Sequence, residues 1–62
     1  MTSRTILLVD DDNDLRGTLV EQLSLYEEFD VLEADTASKA IGTVRGGIVD
    51  LLIMDVGLPD MD

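Results

Sequence analysis

Apolar residues gather in two unbroken runs and one alternating run along the chain. Residues 6–9 and 51–54 are continuously apolar, which is typical of strands covered on both faces of a sheet. Residues 29–34 interleave apolar side chains with acids. This pattern is typical of an edge strand, on which charges disfavour pairing with a strand of another chain. The pattern therefore predicts three strands, and the second of them lies at an edge of the sheet.

Between these runs, apolar residues recur at helical spacing. The first stripe follows good N-cap residues at positions 12–14 and comprises Leu15, Leu19, Leu23 and Tyr26. The second stripe follows Thr36, another N-cap residue, and comprises Ala37, Ala40, Ile41, Val44 and Ile48. Gly46 and Gly47 mark the end of this helix. We expect both stripes to lie in the core.

The order of elements is β-α-β-α-β, which predicts an α/β fold with a parallel sheet, because crossovers of this kind are right-handed. With the polar strand at the edge, the strand order is 2-1-3. Ligands of such sheets bind beyond the carboxyl ends of the strands, where the strand order reverses. Asp10 and Asp11 follow the first strand and Asp55 follows the third, so all three acids are expected at that point.

The third strand has no predicted partner on its far side, which leaves its apolar faces half covered. We therefore expect residues 1–62 to be the N-terminal part of a domain, truncated after strand three. An open strand edge invites pairing with another chain, so self-association through strand three is a further expectation.

Composition narrows the possible chemistry. The 62 residues include 14 acids, four bases, no histidine and no cysteine, for a net charge of −10. Catalytic triads with histidine, Cys-His chemistry and zinc sites are thereby excluded. The negative charge disfavours direct binding to nucleic acid or to an anionic membrane. The sequence shows neither a signal peptide nor a transmembrane run, so we expect a cytoplasmic location.

Carboxylates that meet at one sheet edge repel one another unless a cation neutralises them. Ligation by oxygen alone selects a hard cation, and Mg²⁺ fits best because it takes one or two carboxylates and keeps several waters. A carboxylate at such a site can also attack phosphorus and form an aspartyl-phosphate. The acids therefore point to a magnesium site, or to phosphoryl chemistry that needs one.

The chain resembles the N-terminal half of the response-regulator receiver domains of two-component systems. The resemblance covers nearly the whole chain and is carried, in order, by residues 6–12, by Leu15-Arg16 and by residues 50–62. It implies a partial flavodoxin-like (βα)5 receiver fold. The Thr or Ser of the family's fourth strand and the Lys of its fifth have no counterpart in these 62 residues.

By this resemblance, Asp55 matches the phospho-accepting aspartate, and Asp10 and Asp11 match the acidic pair that holds Mg²⁺. The carbonyl of Gly57 matches the backbone ligand of the metal. The implied partner is a sensor histidine kinase, with Arg16 and the exposed face of the first helix as candidate contacts. The implied role is a phosphorelay switch, not an enzyme that turns over an outside substrate.

Two other interpretations remain open from the residues. Asp10, Asp12, Asp14 and Glu21 match positions 1, 3, 5 and 12 of a calcium-binding loop over residues 10–21, although Leu15 replaces the required glycine. The segment up to Asp12 also resembles the opening motif of haloacid-dehalogenase-type phosphatases, in which Asp10 would be the nucleophile. That second interpretation leaves Asp55 without a role. Asp12 is assigned to helix capping and left out of the site.

Overall fold

The computed structural model describes residues 3–47 and 49–54 of the chain. The elements in order are β1 (Arg4–Val9), α1 (Asn13–Leu23), β2 (Phe29–Ala34), α2 (Ala37–Gly46) and β3 (Leu51–Met54). The three strands form one sheet in the order β2-β1-β3, and both strand pairs are parallel. This architecture confirms the predicted α/β fold with strand order 2-1-3.

The central strand β1 is the most deeply buried element. Its residues Ile6 to Val9 are at most 2% exposed, and Leu7 has no exposed surface. Leu7 pairs with Leu32 of β2 on one side and with Leu52 of β3 on the other. The unbroken apolar run of β1 is thus explained by a strand that has a neighbour on each edge and cover on its faces.

Side-chain caps start both helices. The Asp12 carboxylate accepts hydrogen bonds from the backbone N–H groups of Asp14 and Leu15, each at 3.0 Å, and so satisfies donors that the helix leaves unpaired. The Thr36 hydroxyl accepts from the N–H of Lys39 at 3.2 Å. The position of the first cap, predicted only to within residues 12–14, is therefore Asp12.

The prediction that the first stripe lies in the core is wrong. No residue of α1 is buried, and Leu15 is 48% exposed. The helix ends at Leu23, and tight turns follow in which Tyr26 donates its N–H to the carbonyl of Leu23. Tyr26 therefore lies beyond the helix, where its ring packs at 5.6 Å against that of Phe29.

The reason for this exposure is the position of α1, which lies over β1 and β2 and not over β3. Between the second half of α1 and β3, an apolar cleft of about 530 Å³ remains, lined by residues that include Leu19, Leu23 and Ile53. Leu19 and Leu23 face this cleft, and Leu15 faces a neighbouring cleft beside the carboxyl end of β1, in place of a closed core.

The second stripe is confirmed only in part. Ala40 is 2% exposed and joins Leu7, Val9 and Ala34 in the core cluster, but Ile41 and Val44 are 51% and 46% exposed. Ile48, the last residue of the predicted stripe, lies outside the described residues. The core therefore lies on the α2 side of the sheet and is small.

Strand β3 is half covered, as the sequence predicts. Leu51, Leu52 and Ile53 are 52%, 45% and 39% exposed, and within the described part of the chain β3 pairs only with β1. Self-association through this edge stays a prediction.

A reciprocal contact joins the starts of β1 and β3. The Asp50 carboxylate accepts from the N–H of Thr5 at 2.7 Å, and the N–H of Asp50 donates to the carbonyl of Thr5 at 2.8 Å. This pair lies at the opposite end of the sheet from Asp10.

Among the residues that the structure describes, no helix is long and apolar enough to cross a membrane.

Candidate functional site

Three consecutive acids follow the carboxyl end of β1, where the strand order reverses between β1 and β3. The last residues of the two strands, Val9 and Met54, are register partners. In sequence, Asp10 and Asp55 come directly after this pair. Asp55 and Gly57 lie outside the described residues, so the structure brings together only the Asp10 and Asp11 half of the predicted site.

Asp10 is held by its backbone and by its side chain. Its N–H donates to the carbonyl of Ala34 in β2 at 3.1 Å, which extends the β1–β2 ladder by one residue. Its carboxylate Oδ1 accepts from the N–H of Asp12 at 2.9 Å. Asp10 is 7% exposed, the one buried charged residue in the described part of the chain. A buried carboxylate requires polar or cationic partners, and these are what the start of the β1–α1 loop supplies.

The three acids have different environments. Asp11 is exposed beside the buried Asp10, and the Asp12 carboxylate is occupied by the two capping hydrogen bonds of α1. This confirms that capping belongs to Asp12, and the role of Asp10 and Asp11 as the acidic pair stays a prediction.

A cleft of about 450 Å³ opens beside these acids and continues between α1 and β3. Asp10, Asp11 and Met54 are among the residues that line it. Carboxylate oxygens in a chain without histidine or cysteine are donors that suit Mg²⁺. Within residues 3–47 and 49–54, no group of three or more acidic, histidine or cysteine side chains could hold a metal ion. The described acids therefore fit Mg²⁺ in donor type.

Arg16 makes contacts within the chain that the sequence did not reveal. Its side chain is only 14% exposed, and its guanidinium donates to the Asp10 carbonyl, to Asn13 Oδ1 and, at 3.1 Å, to Glu33 Oε1. These contacts engage the guanidinium within the chain, and Arg16 as a kinase contact stays a prediction. One signal was available, because a cation in the first turn of a helix opposes the helix dipole and needs a tertiary reason.

A second ion pair lies at the end of β2. The Lys39 ammonium is 2.8 Å from Asp35 Oδ1, and both side chains are substantially exposed. The hydrogen-bond contact and the positive charge of Lys39 hold the pKa of the Asp35 carboxyl below its ordinary value. Arg16 contributes to the same lowering through its charge.

The calcium-loop interpretation does not fit the fold. Asp14 and Glu21 both lie within α1, where seven residues span about 10 Å along the helix axis. A calcium-binding loop of this type has to fold around one ion, and residues 13–23 are helical instead.

The chain belongs to the response regulator receiver domain family, whose sequence model matches residues 6–62. This match confirms the resemblance and favours a receiver over a phosphatase of the haloacid-dehalogenase type. Comparisons with curated proteins and with solved structures found no match. The family places the chain in phosphorelay signalling by two-component systems, where receivers act with histidine kinases and are generally signalling modules and not enzymes.

Proposed function

We propose that the chain accepts a phosphoryl group on Asp55 from the phosphohistidine of a sensor histidine kinase. In this transfer the P–N bond to the histidine breaks, a P–O bond to the Asp55 carboxylate forms, and the histidine nitrogen leaves with the electron pair of the broken bond. Asp10, Asp11, Asp55 and the carbonyl of Gly57 would hold Mg²⁺, which when bound offsets the charge of the transferring group.

The observation that carries this proposal is the register of β1 and β3. Because Val9 and Met54 are partners, Asp10 and Asp55 each come one residue after a paired position. Neighbouring strands lie about 4.8 Å apart, a separation that lets carboxylates from both strands reach one cation. The buried Asp10 and the exposed Asp11 support this arrangement from the β1 side.

The chain's own residues would position the reactants and supply no proton transfer, since an ionised carboxylate is already the nucleophile. Asp10 is fixed by the Ala34 carbonyl and by the Asp12 N–H, so little reorganisation of this carboxylate is needed when a cation arrives.

The test is labelling of the chain with phosphoramidate, a small donor that carries the same P–N bond as phosphohistidine. We expect the wild type to gain one phosphoryl group by intact-mass spectrometry in Mg²⁺, and to gain none in excess EDTA. Asp55→Asn should abolish the label, and the control Asp30→Asn, at an exposed acid of β2, should keep it. Persistent labelling of Asp55→Asn together with its loss in Asp10→Asn would instead support the phosphatase alternative.

A further inference from the structure

The guanidinium of Arg16 joins three separate parts of the chain. Its Nε donates to Glu33 on β2 at 3.1 Å, one terminal nitrogen donates to the Asp10 carbonyl, and the other donates to Asn13 at the start of α1. The Arg16 side chain is 14% exposed, and its contact with the Asp10 carbonyl is partly buried, whereas its contacts with Glu33 and Asn13 lie at the surface. The three acceptors thus belong to the edge strand β2, to the loop that follows β1 and to the first residue of α1.

The contact with the Asp10 carbonyl bears directly on the acid pair. This carbonyl belongs to the peptide group that links Asp10 to Asp11, so its orientation sets the direction in which the chain continues to Asp11. On the other side of the same residue, the N–H of Asp10 is fixed by the Ala34 carbonyl. Both peptide groups of Asp10 are therefore tied to β2, one directly and one through Arg16 and Glu33.

Only an arginine can make this set of contacts. A planar guanidinium presents five N–H donors in a fixed fork, whereas a lysine ammonium is a compact charge that satisfies acceptors around one atom. Arg16 is the fourth residue of α1, near the helix end where the dipole disfavours a cation, and its contacts with Asp10, Asn13 and Glu33 offset that cost.

We propose that Arg16 is a positioning residue that fixes the Asp10–Asp11 peptide and thereby presents the acid pair to a divalent cation. This inference rests on the proposed function for its metal-binding consequence, but its geometric claim concerns the metal-free chain. Groups that orient metal ligands from outside the ligand set typically contribute 10–100-fold to metal affinity.

The experiment compares Arg16→Lys with Arg45→Lys, a matched substitution on the exposed end of α2. The first readout is hydrogen exchange of the Asp12 amide in the metal-free chain by NMR, because that amide donates to Asp10 Oδ1. The second is the Mg²⁺ dissociation constant by amide NMR titration. We expect Arg16→Lys to exchange the Asp12 amide faster and to bind Mg²⁺ about 10-fold more weakly, and Arg45→Lys to match the wild type in both.

A purely structural role would lower the melting temperature of Arg16→Lys but leave both readouts of the folded chain unchanged, and that result would overturn the proposal. If Arg16→Lys does not fold, Glu33→Gln decides, since it keeps Arg16 and an acceptor oxygen on β2 and removes only the negative charge that pairs with the guanidinium. It is expected to change both readouts in the same direction and by less. A wild type that shows no saturable Mg²⁺ binding would refute the proposed function. The exchange of the Asp12 amide would still decide the positioning claim.

Discussion

The Asp12 cap allows a quantitative test of whether Asp12 stabilises α1 and takes no part in metal binding. Asp12→Ala removes both hydrogen bonds to the first turn of α1 and also the negative charge beside the helix N-terminus. Asp12→Ser keeps a capping oxygen and removes only the charge. Both variants relieve the same repulsion from Asp10 and Asp11, so the difference between them reports the cap alone.

The structure sets the size of the effect. Loss of a side-chain cap costs about 1 kcal/mol and loss of a carboxylate at a helix N-terminus costs about 0.3–1 kcal/mol. We therefore expect Asp12→Ala to lower the free energy of unfolding by about 1–2 kcal/mol and Asp12→Ser to lower it by less than about 1 kcal/mol. For a chain of 62 residues with a total stability of roughly 3–9 kcal/mol, the first loss is large. It corresponds to a fall in melting temperature of roughly 5–15 °C.

The assay is urea unfolding followed by circular dichroism, with Glu21→Ala as the control. Glu21 is an exposed acid on the same helix and takes no part in the cap, so its loss should change stability by less than about 0.5 kcal/mol. Equal destabilisation by Asp12→Ala and Asp12→Ser would refute the capping argument. Loss of Mg²⁺ binding in Asp12→Ser would refute the assignment of Asp12 to the helix and not to the metal.

Two further outcomes follow from the structure. Gly17→Ala should stabilise the chain by about 0.5–1 kcal/mol in urea unfolding, because an added Cβ meets no atom within 4 Å and alanine is the better helix former. Gly47→Ala, at the extended C-cap residue after α2, gains no helix propensity, so its effect reports only the lower entropy of the unfolded chain. The lowered pKa of Asp35 means that its ion pair stabilises the fold above the ordinary pKa of aspartate and that this contribution is lost as the pH falls through the lowered pKa. The difference in melting temperature between the wild type and Lys39→Gln should therefore hold from pH 7 to about 5 and shrink below about pH 4, and a difference that does not change with pH would contradict the pairing.

Strand order was predictable from sequence because three signals agreed. The unbroken run of β1, the charges of β2 and the two crossover segments leave few ways to assemble a parallel sheet. The acids at the end of β1 followed from the same argument, since a parallel sheet delivers the carboxyl ends of its strands to one edge. Residue types and their order were sufficient for these features.

Side-chain burial was not predictable in the same way. The stripe of α1 has helical spacing, but spacing states only which residues share a face and not what covers that face. Leu15 is on the expected face and is still 48% exposed. The contact between Arg16 and Glu33 also depends on the placement of α1 relative to β2, which no local pattern contains. Arg16, which the sequence suggests as a kinase contact, is for this reason also found to contact a neighbouring strand.

The reciprocal pair between Thr5 and Asp50 has a consequence for the opposite end of the sheet. Strand side chains alternate with a period of two, so a slip of β3 by one residue would turn each of its side chains to the other face and displace the strand by about 3.3 Å. By fixing the start of β3 against the start of β1, this pair sets which residue of β3 lies opposite Val9. The contact that sets the register therefore lies at the start of the two strands, and Asp10 lies beyond their far end. The pairing of Val9 with Met54 is thus fixed by a contact at the opposite end of the sheet from Asp10.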